Sequence, residues 1–176
     1  MSMNKLARGF SLIELMVALA AGAFLLAGVS LSYAAIKGTI EVSKELENAQ
    51  EVIRYTSKVF NRSIKQTQLV PSISADKSTI TITQPEGVIA CNGTLTTGVM
   101  TEVYSLDNSS LMCSLNGAAA ERLLTGLESV SFSLSGELVS IVVKPQKLPA
   151  QFGAGINIDV ALTNTILVNA YGGNSV

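Results

Sequence analysis

Glu14 is the one formal charge in a run of 27 residues, Phe10 to Ile36. A carboxylate in so apolar a stretch must be compensated, or the segment must end up somewhere other than lipid. Left alone near the centre of a bilayer it costs about 2.5–3.5 kcal/mol. Cys91 and Cys113 are the two thiols, both beyond that run. An even pair in an oxidising compartment is most simply one disulfide, which stabilises a loop of this length by about 3 kcal/mol in the chain-entropy model. A metal reading is weak, because histidine is absent and two thiolates alone do not make a four-ligand site. A redox-active pair is disfavoured by the 21 residues between the thiols and the lack of Cys-x-x-Cys. Arg54, Lys58, Arg62 and Lys65, spaced by four, four and three, form a basic stripe on a helix. Such cations solvate an exposed face and suit a helix C-terminus. The competing reading is a contact with DNA or a partner subunit, and DNA is not favoured, since only Tyr55 and Phe60 supply aromatic rings nearby. Without histidine there is no Ser-His-Asp or Cys-His arrangement. There is no P-loop and no dinucleotide fingerprint either. No enzymatic activity, cofactor or metal is expected.

The elements that must carry these residues follow from periodicity. The run from Phe10 to Ile36 exceeds the ~18 apolar residues that span a bilayer as a helix. It is too long for the ~7–15-residue core of an ordinary secretory signal, and its small residues lie inside it. Lys5 and Arg8 precede it with no acid, so the positive-inside rule puts the leader in the cytoplasm and Lys37 onward outside. From Lys37 to Gln66 there is no proline, and Gly38 is the one glycine. Val42, Leu46, Ala49, Ile53, Thr56 and Phe60 recur in steps of three and four, widened by Val52 and Val59. That spacing predicts an amphipathic helix. Continuous from Phe10 to Ile64, the helix measures about 80 Å at 1.5 Å per residue.

The rest reads as strands and turns. Residues 78–83, Val99 to Leu106, Leu111 to Leu115, Leu127 to Leu134 and Leu138 to Lys144 are expected strands. Asp107 to Ser110 and Ser135 to Glu137 are the hairpin punctuation. Ile156 to Val168 reads as a last long strand, Glu121 to Leu124 as a short helical turn, and Gly172 to Ser175 as a frayed end. A long helix followed by strands predicts an α+β fold, the amphipathic half-helix lying on an antiparallel sheet. The expected organisation is a leader at 1–9, a membrane or core helix at 10–36, its amphipathic continuation at 37–66 and a β-rich head at 67–176. Losing the leader would remove Lys5 and Arg8 from the 12 basic residues, leaving 10 against 13 acids. That balance argues against bulk attraction to nucleic acid.

The basic leader, Gly9 before Phe10, Glu14 at the fifth position after that junction and the long apolar helix together resemble the class III signal of type IV prepilins and type II secretion pseudopilins. The resemblance covers about the first fifth of the chain. It implies cleavage between Gly9 and Phe10 by a prepilin peptidase, which also methylates the new Phe10 amine. It also implies that Glu14 faces the charged Phe10 amine of a neighbouring subunit in a filament core. The bland reading of Glu14 is hydration at the cytoplasmic headgroup level. Ala18 with Gly22, and Ala23 with Ala27, are small-xxx-small pairs that permit close helix approach.

Shorter segments resemble PilW-type minor pilins. They are Ala49 to Tyr55 with Phe60-Asn61-Arg62, then Tyr104-Ser105-Leu106 with Leu111, Leu124 to Val130, and Val160 to Asn164. The chain is compact for that family, 63 residues follow Cys113, and the membrane segment lacks the proline of many major pilins. The resemblance implies a minor subunit of a type IV pilus that primes or supports assembly. Its partners would be other pilin and minor pilin subunits, the peptidase-methyltransferase and an inner-membrane assembly platform. It would sit in the inner membrane with its head in the periplasm, then in a surface pilus. The alternatives are a filament-displayed binding module for DNA uptake or adhesion, and a pseudopilin of type II secretion.

Overall fold

The structure is a computed structural model, and it describes residues 11–148 and 152–171. Helix α1, Leu12–Gln66, is one uninterrupted helix of 55 residues. Nothing in it breaks the helix, because the first proline of the chain is Pro71. The chain divides into two compact units, Met1–Lys44 and Glu45–Val176.

In the first unit, every described residue is exposed except the half-buried Gly22. Three hydroxyls of this unit bond back to the carbonyl four residues before. Ser30 donates to the Leu26 carbonyl at 2.8 Å, Ser32 to Gly28 at 3.0 Å and Thr39 to Ala35 at 3.1 Å. Back-bonding of this kind lets Ser and Thr sit in an apolar setting with no outside partner. Among the described residues α1 is the one helix long and apolar enough to cross a membrane.

In the second unit, α1 packs on antiparallel sheets. The first sheet runs in the order β1 (Ser72–Ile73), β2 (Ile80–Gln84), β3 (Met100–Asp107), β4 (Ser110–Leu115) and β5 (Glu121–Thr125). The second is β6 (Leu127–Ser135), β7 (Leu138–Pro145) and β8 (Ile156–Ala161), followed by helix α2 (Thr163–Tyr171). All neighbours pair antiparallel. Asn108 and Ser109 make the β3–β4 turn with φ of 45° and 60°, the signature of a two-residue hairpin whose twist suits its strands. Gly126 is the joint between the sheets. At φ +94° a Cβ there would be strained, and it would also stand 3.4 Å from Val52 Cγ2. The Gly126 and Leu127 amides both donate to the Ser109 carbonyl, at 3.0 and 3.1 Å.

The inward face of α1 differs from the expected stripe. Ala49, Val52, Thr56, Val59, Phe60, Ser63 and Ile64 are buried. Val42 is 59% exposed and Ile53 is half-buried. The sheets select this face. Phe60 stands 5.1 Å from the Tyr104 ring and 5.4 Å from the Phe132 ring. These residues join Ile80, Ile82, Leu111, Ile141, Val143 and Leu162 in one core.

Two other expectations are corrected. Glu121 to Leu124 is strand β5, not a helical turn. It lies along β4 with Leu111 opposite Leu124 and a bulge between Leu111 and Met112. The ladder supplies backbone partners that a single costly helical turn would lack. The run from Ile156 to Val168 is a strand only as far as Ala161. Ala161 pairs with Leu138, the first residue of β7, so no partner strand remains beyond it. The Leu162 amide donates to the Glu137 carbonyl at 2.9 Å, and the Ile166 amide returns to the Leu162 carbonyl at 2.9 Å to open α2.

Candidate functional site

Ser11 and Glu14 hold the start of α1. The Ser11 amide donates to Glu14 Oε2 at 3.1 Å, and the Glu14 amide donates to Ser11 Oγ at 3.3 Å. The Ser11 carbonyl accepts the first helical bond, from the Leu15 amide at 3.3 Å. This reciprocal arrangement is a capping box, which satisfies orphan donors at both ends of the pair. A carboxylate in the first turn also suits the helix dipole. The expected processing pair, Gly9 and Phe10, lies outside the described residues.

The cysteines meet. Cys91 and Cys113 are bonded, with Cα atoms 6.5 Å apart. Cys113 is on β4, opposite Tyr104 on β3, and Cys91 lies in the long connection from β2 to β3. The bond therefore clamps that connection to the inner face of the first sheet.

The basic stripe does not hold together as four equivalent residues. Arg54, Lys58 and Lys65 are exposed, but Arg62 is half-buried. Its Nη2 donates to the Ala90 carbonyl at 3.2 Å. Arg62 thus serves the joint between α1 and the disulfide loop, leaving three cations facing solvent.

A buried carboxylate organises the same joint. Glu102 on β3 is 1% exposed. Its Oε2 accepts from Ser63 Oγ of α1, from Gln84 Nε2 of β2 at 2.9 Å and from Tyr104 OH at 3.1 Å. Its Oε1 accepts from the Cys91 amide at 2.6 Å. Four donors from the helix, two strands and the loop compensate a charge that would otherwise be costly to bury. Burial, and then the Glu102 charge, push the Tyr104 phenol far above its usual range, so Tyr104 remains a neutral donor. The basic stripe and the cysteine pair do not by themselves point to Glu102. The signal in the sequence is the spacing of Glu102 with Tyr104 on one side of a period-two strand.

Among the described residues no group of three or more His, Cys, Asp or Glu could hold a metal ion. The arrangement as a whole is structural: a capped apolar helix, and a clamped joint where that helix meets the head.

Residues 4–30 match the family model of the prokaryotic N-terminal methylation motif. The match takes in Ser11 and Glu14, as well as Gly9 and Phe10. No curated protein and no solved structure matches the chain. The motif and the helix-on-sheet architecture make this a pilin-like α+β chain.

Proposed function

We propose that this chain is a minor structural subunit of a type IV pilus that primes or supports filament assembly. The observation that carries the reading is the methylation motif on a helix whose described residues up to Ile36 are almost all exposed and strongly apolar. Such a surface needs lipid or other helices around it. In this reading the leader is cut between Gly9 and Phe10 and the Phe10 amine is methylated. The subunit waits in the inner membrane with its head in the periplasm. Its helix then leaves lipid for a bundle at the filament core, where Glu14 meets a neighbour's Phe10 amine. The short segments similar to PilW-type minor pilins support a minor subunit.

The test is a deletion strain examined for filaments, attachment, DNA uptake and exoprotein release. Loss of pili supports assembly. Normal pili with lost attachment or uptake would point to a binding module, and a defect confined to exoprotein release would point to a pseudopilin.

A further inference from the structure

The peptide group between Ala90 and Cys91 stands between two charged side chains from different elements. Its carbonyl accepts from Arg62 Nη2 at 3.2 Å, and its N–H donates to Glu102 Oε1 at 2.6 Å. Oxygen faces the cation and N–H faces the anion, so one neutral dipole serves both. Arg62 and Glu102 make no ion pair of their own. The ion pairs among the described residues are Lys144–Glu128 and Lys147–Glu45. Cys91 carries the bond to Cys113, so the disulfide pins this peptide in place.

The loop it belongs to, residues 85–99, buries Ala90, Cys91 and Thr96 but makes few hydrogen bonds to the rest of the head. Its internal ladder is one isolated bridge, Ile89 to Leu95, with turn bonds among Gly87, Val88, Ala90, Gly93, Thr94 and Thr96. Its outward residues Ile89, Leu95 and Val99 are 44%, 66% and 73% exposed. Among the described residues, the hydrogen bonds that leave the loop for the rest of the head are the two made by the Ala90–Cys91 peptide.

We infer that the disulfide and the Arg62–Glu102 pair form a redox-sensitive latch on this loop. A dithiol reduces the bond: two electrons and two protons pass to the cysteines, and the dithiol becomes its own disulfide. The peptide is then unpinned, and the loop regains the freedom that the cross-link removed. If the peptide leaves, the buried Glu102 Oε1 and the half-buried Arg62 both lose a partner. These two opposite charges then pair directly across the vacated place. The joint thus has two arrangements, peptide inserted or ion pair closed, and the redox state selects between them. Oxidation completes the joint between α1 and the first sheet, which ties completion to an oxidising compartment. The latch is independent of the filament reading.

The test is hydrogen exchange by mass spectrometry on the full chain in detergent micelles, with dithiothreitol as the dithiol. Reduction is expected to speed exchange at residues 86–99 at least tenfold, while β6 and β7 stay within twofold. In reduced Glu102→Gln the acceleration at 86–99 should fall below the wild-type value, because no ion pair competes for Arg62. Unchanged loop protection on reduction would overturn the latch, and so would equal acceleration across all strands. Equal acceleration in wild type and Glu102→Gln would overturn the ion-pair arm. Should Glu102→Gln fold poorly, Arg62→Gln tests the same arm. The double variant Cys91→Ser/Cys113→Ser repeats the comparison without reductant, and a fully protected loop there also rejects the latch.

Discussion

Ser11 and Glu14 cap one another, side chain to backbone in both directions, at 3.1 and 3.3 Å. Glu14 therefore has a partner in its own chain before any neighbour arrives. One carboxylate can serve the helix start through Oε2 and leave Oε1 for a cation. The pairing proposed for Glu14 in a filament adds to this local bond and need not replace it.

The first prediction concerns that cap. Ser11→Ala should destabilise the start of α1 by about 1 kcal/mol, the usual cost of losing an N-cap hydroxyl. Ser11→Asp should restore most of it. Amide exchange at Ile13 to Leu15 in micelles is the measurement. Equal exchange in wild type and Ser11→Ala would mean that the box contributes nothing.

The second prediction concerns the buried carboxylate. Glu102→Ala removes the acceptor for Ser63, Gln84, Tyr104 and the Cys91 amide together. Each buried donor left unsatisfied costs about 1–3 kcal/mol, so the loss should exceed about 3 kcal/mol. Tyr104→Phe removes one donor and should cost about 1 kcal/mol. Urea unfolding of the full chain in micelles, followed by far-ultraviolet circular dichroism, checks both. A Glu102→Ala loss no larger than that of Tyr104→Phe would show that the network does not act as a unit.

The third prediction is a pH dependence. Asp76 accepts from the Ser74 hydroxyl at 2.5 Å, the Ser78 hydroxyl at 2.7 Å and the Ser78 amide at 3.2 Å. These bonds, the Ser74 hydroxyl first, hold its carboxyl down at about 2. A depressed carboxyl favours the folded turn above the unfolded value of about 4. Its contribution fades as pH falls below that value and is gone once pH passes through about 2. The Ser78 amide resonance should shift with a midpoint near the lower value, and Asp76→Asn should abolish the shift. A midpoint near 4 would mean the turn does not hold the charged form.

Much of this architecture is legible in the letters because it is local. The apolar run, the period-two strands and the Asn108-Ser109 turn all act within a few residues. Ser11-x-x-Glu14 is also local, yet Glu14 draws attention for its charge and hides its role as a cap. What is not legible depends on distance or on a partner running out. Glu102 meets Cys91, Gln84 and Ser63 across 11, 18 and 39 residues. The strand's period sets Glu102 on one side with Tyr104, but no window of sequence shows which distant donors it meets. The same holds for Arg62, which continues the stripe in sequence but turns to the Ala90 carbonyl in space. Thr163 to Val168 looks like strand because Ile, Leu, Val and Thr suit one. It is helix because β7 begins at Leu138, opposite Ala161, and offers nothing further to pair with.

The last prediction separates the two roles of Glu14. Glu14→Ala loses both the cap to Ser11 and the negative charge. Glu14→Gln keeps an oxygen that can accept from the Ser11 amide, since Gln serves at this position of a capping box, but it has no charge. Both variants should insert in membranes, because removing the carboxylate makes the span easier to insert by a few kcal/mol. If Glu14 pairs with a neighbour's Phe10 amine in a dry core, both should be impaired in filament entry. A buried amine left without its counter-charge costs roughly 3–5 kcal/mol, which is a loss of more than about a hundredfold in occupancy. The measurement is processed subunit in membranes against subunit in sheared filaments, for wild type and both variants. Gln entering like wild type while Ala fails would transfer the role from charge to cap. Both entering like wild type would remove Glu14 from assembly altogether, as expected for a subunit at a filament end where no neighbour presents its amine.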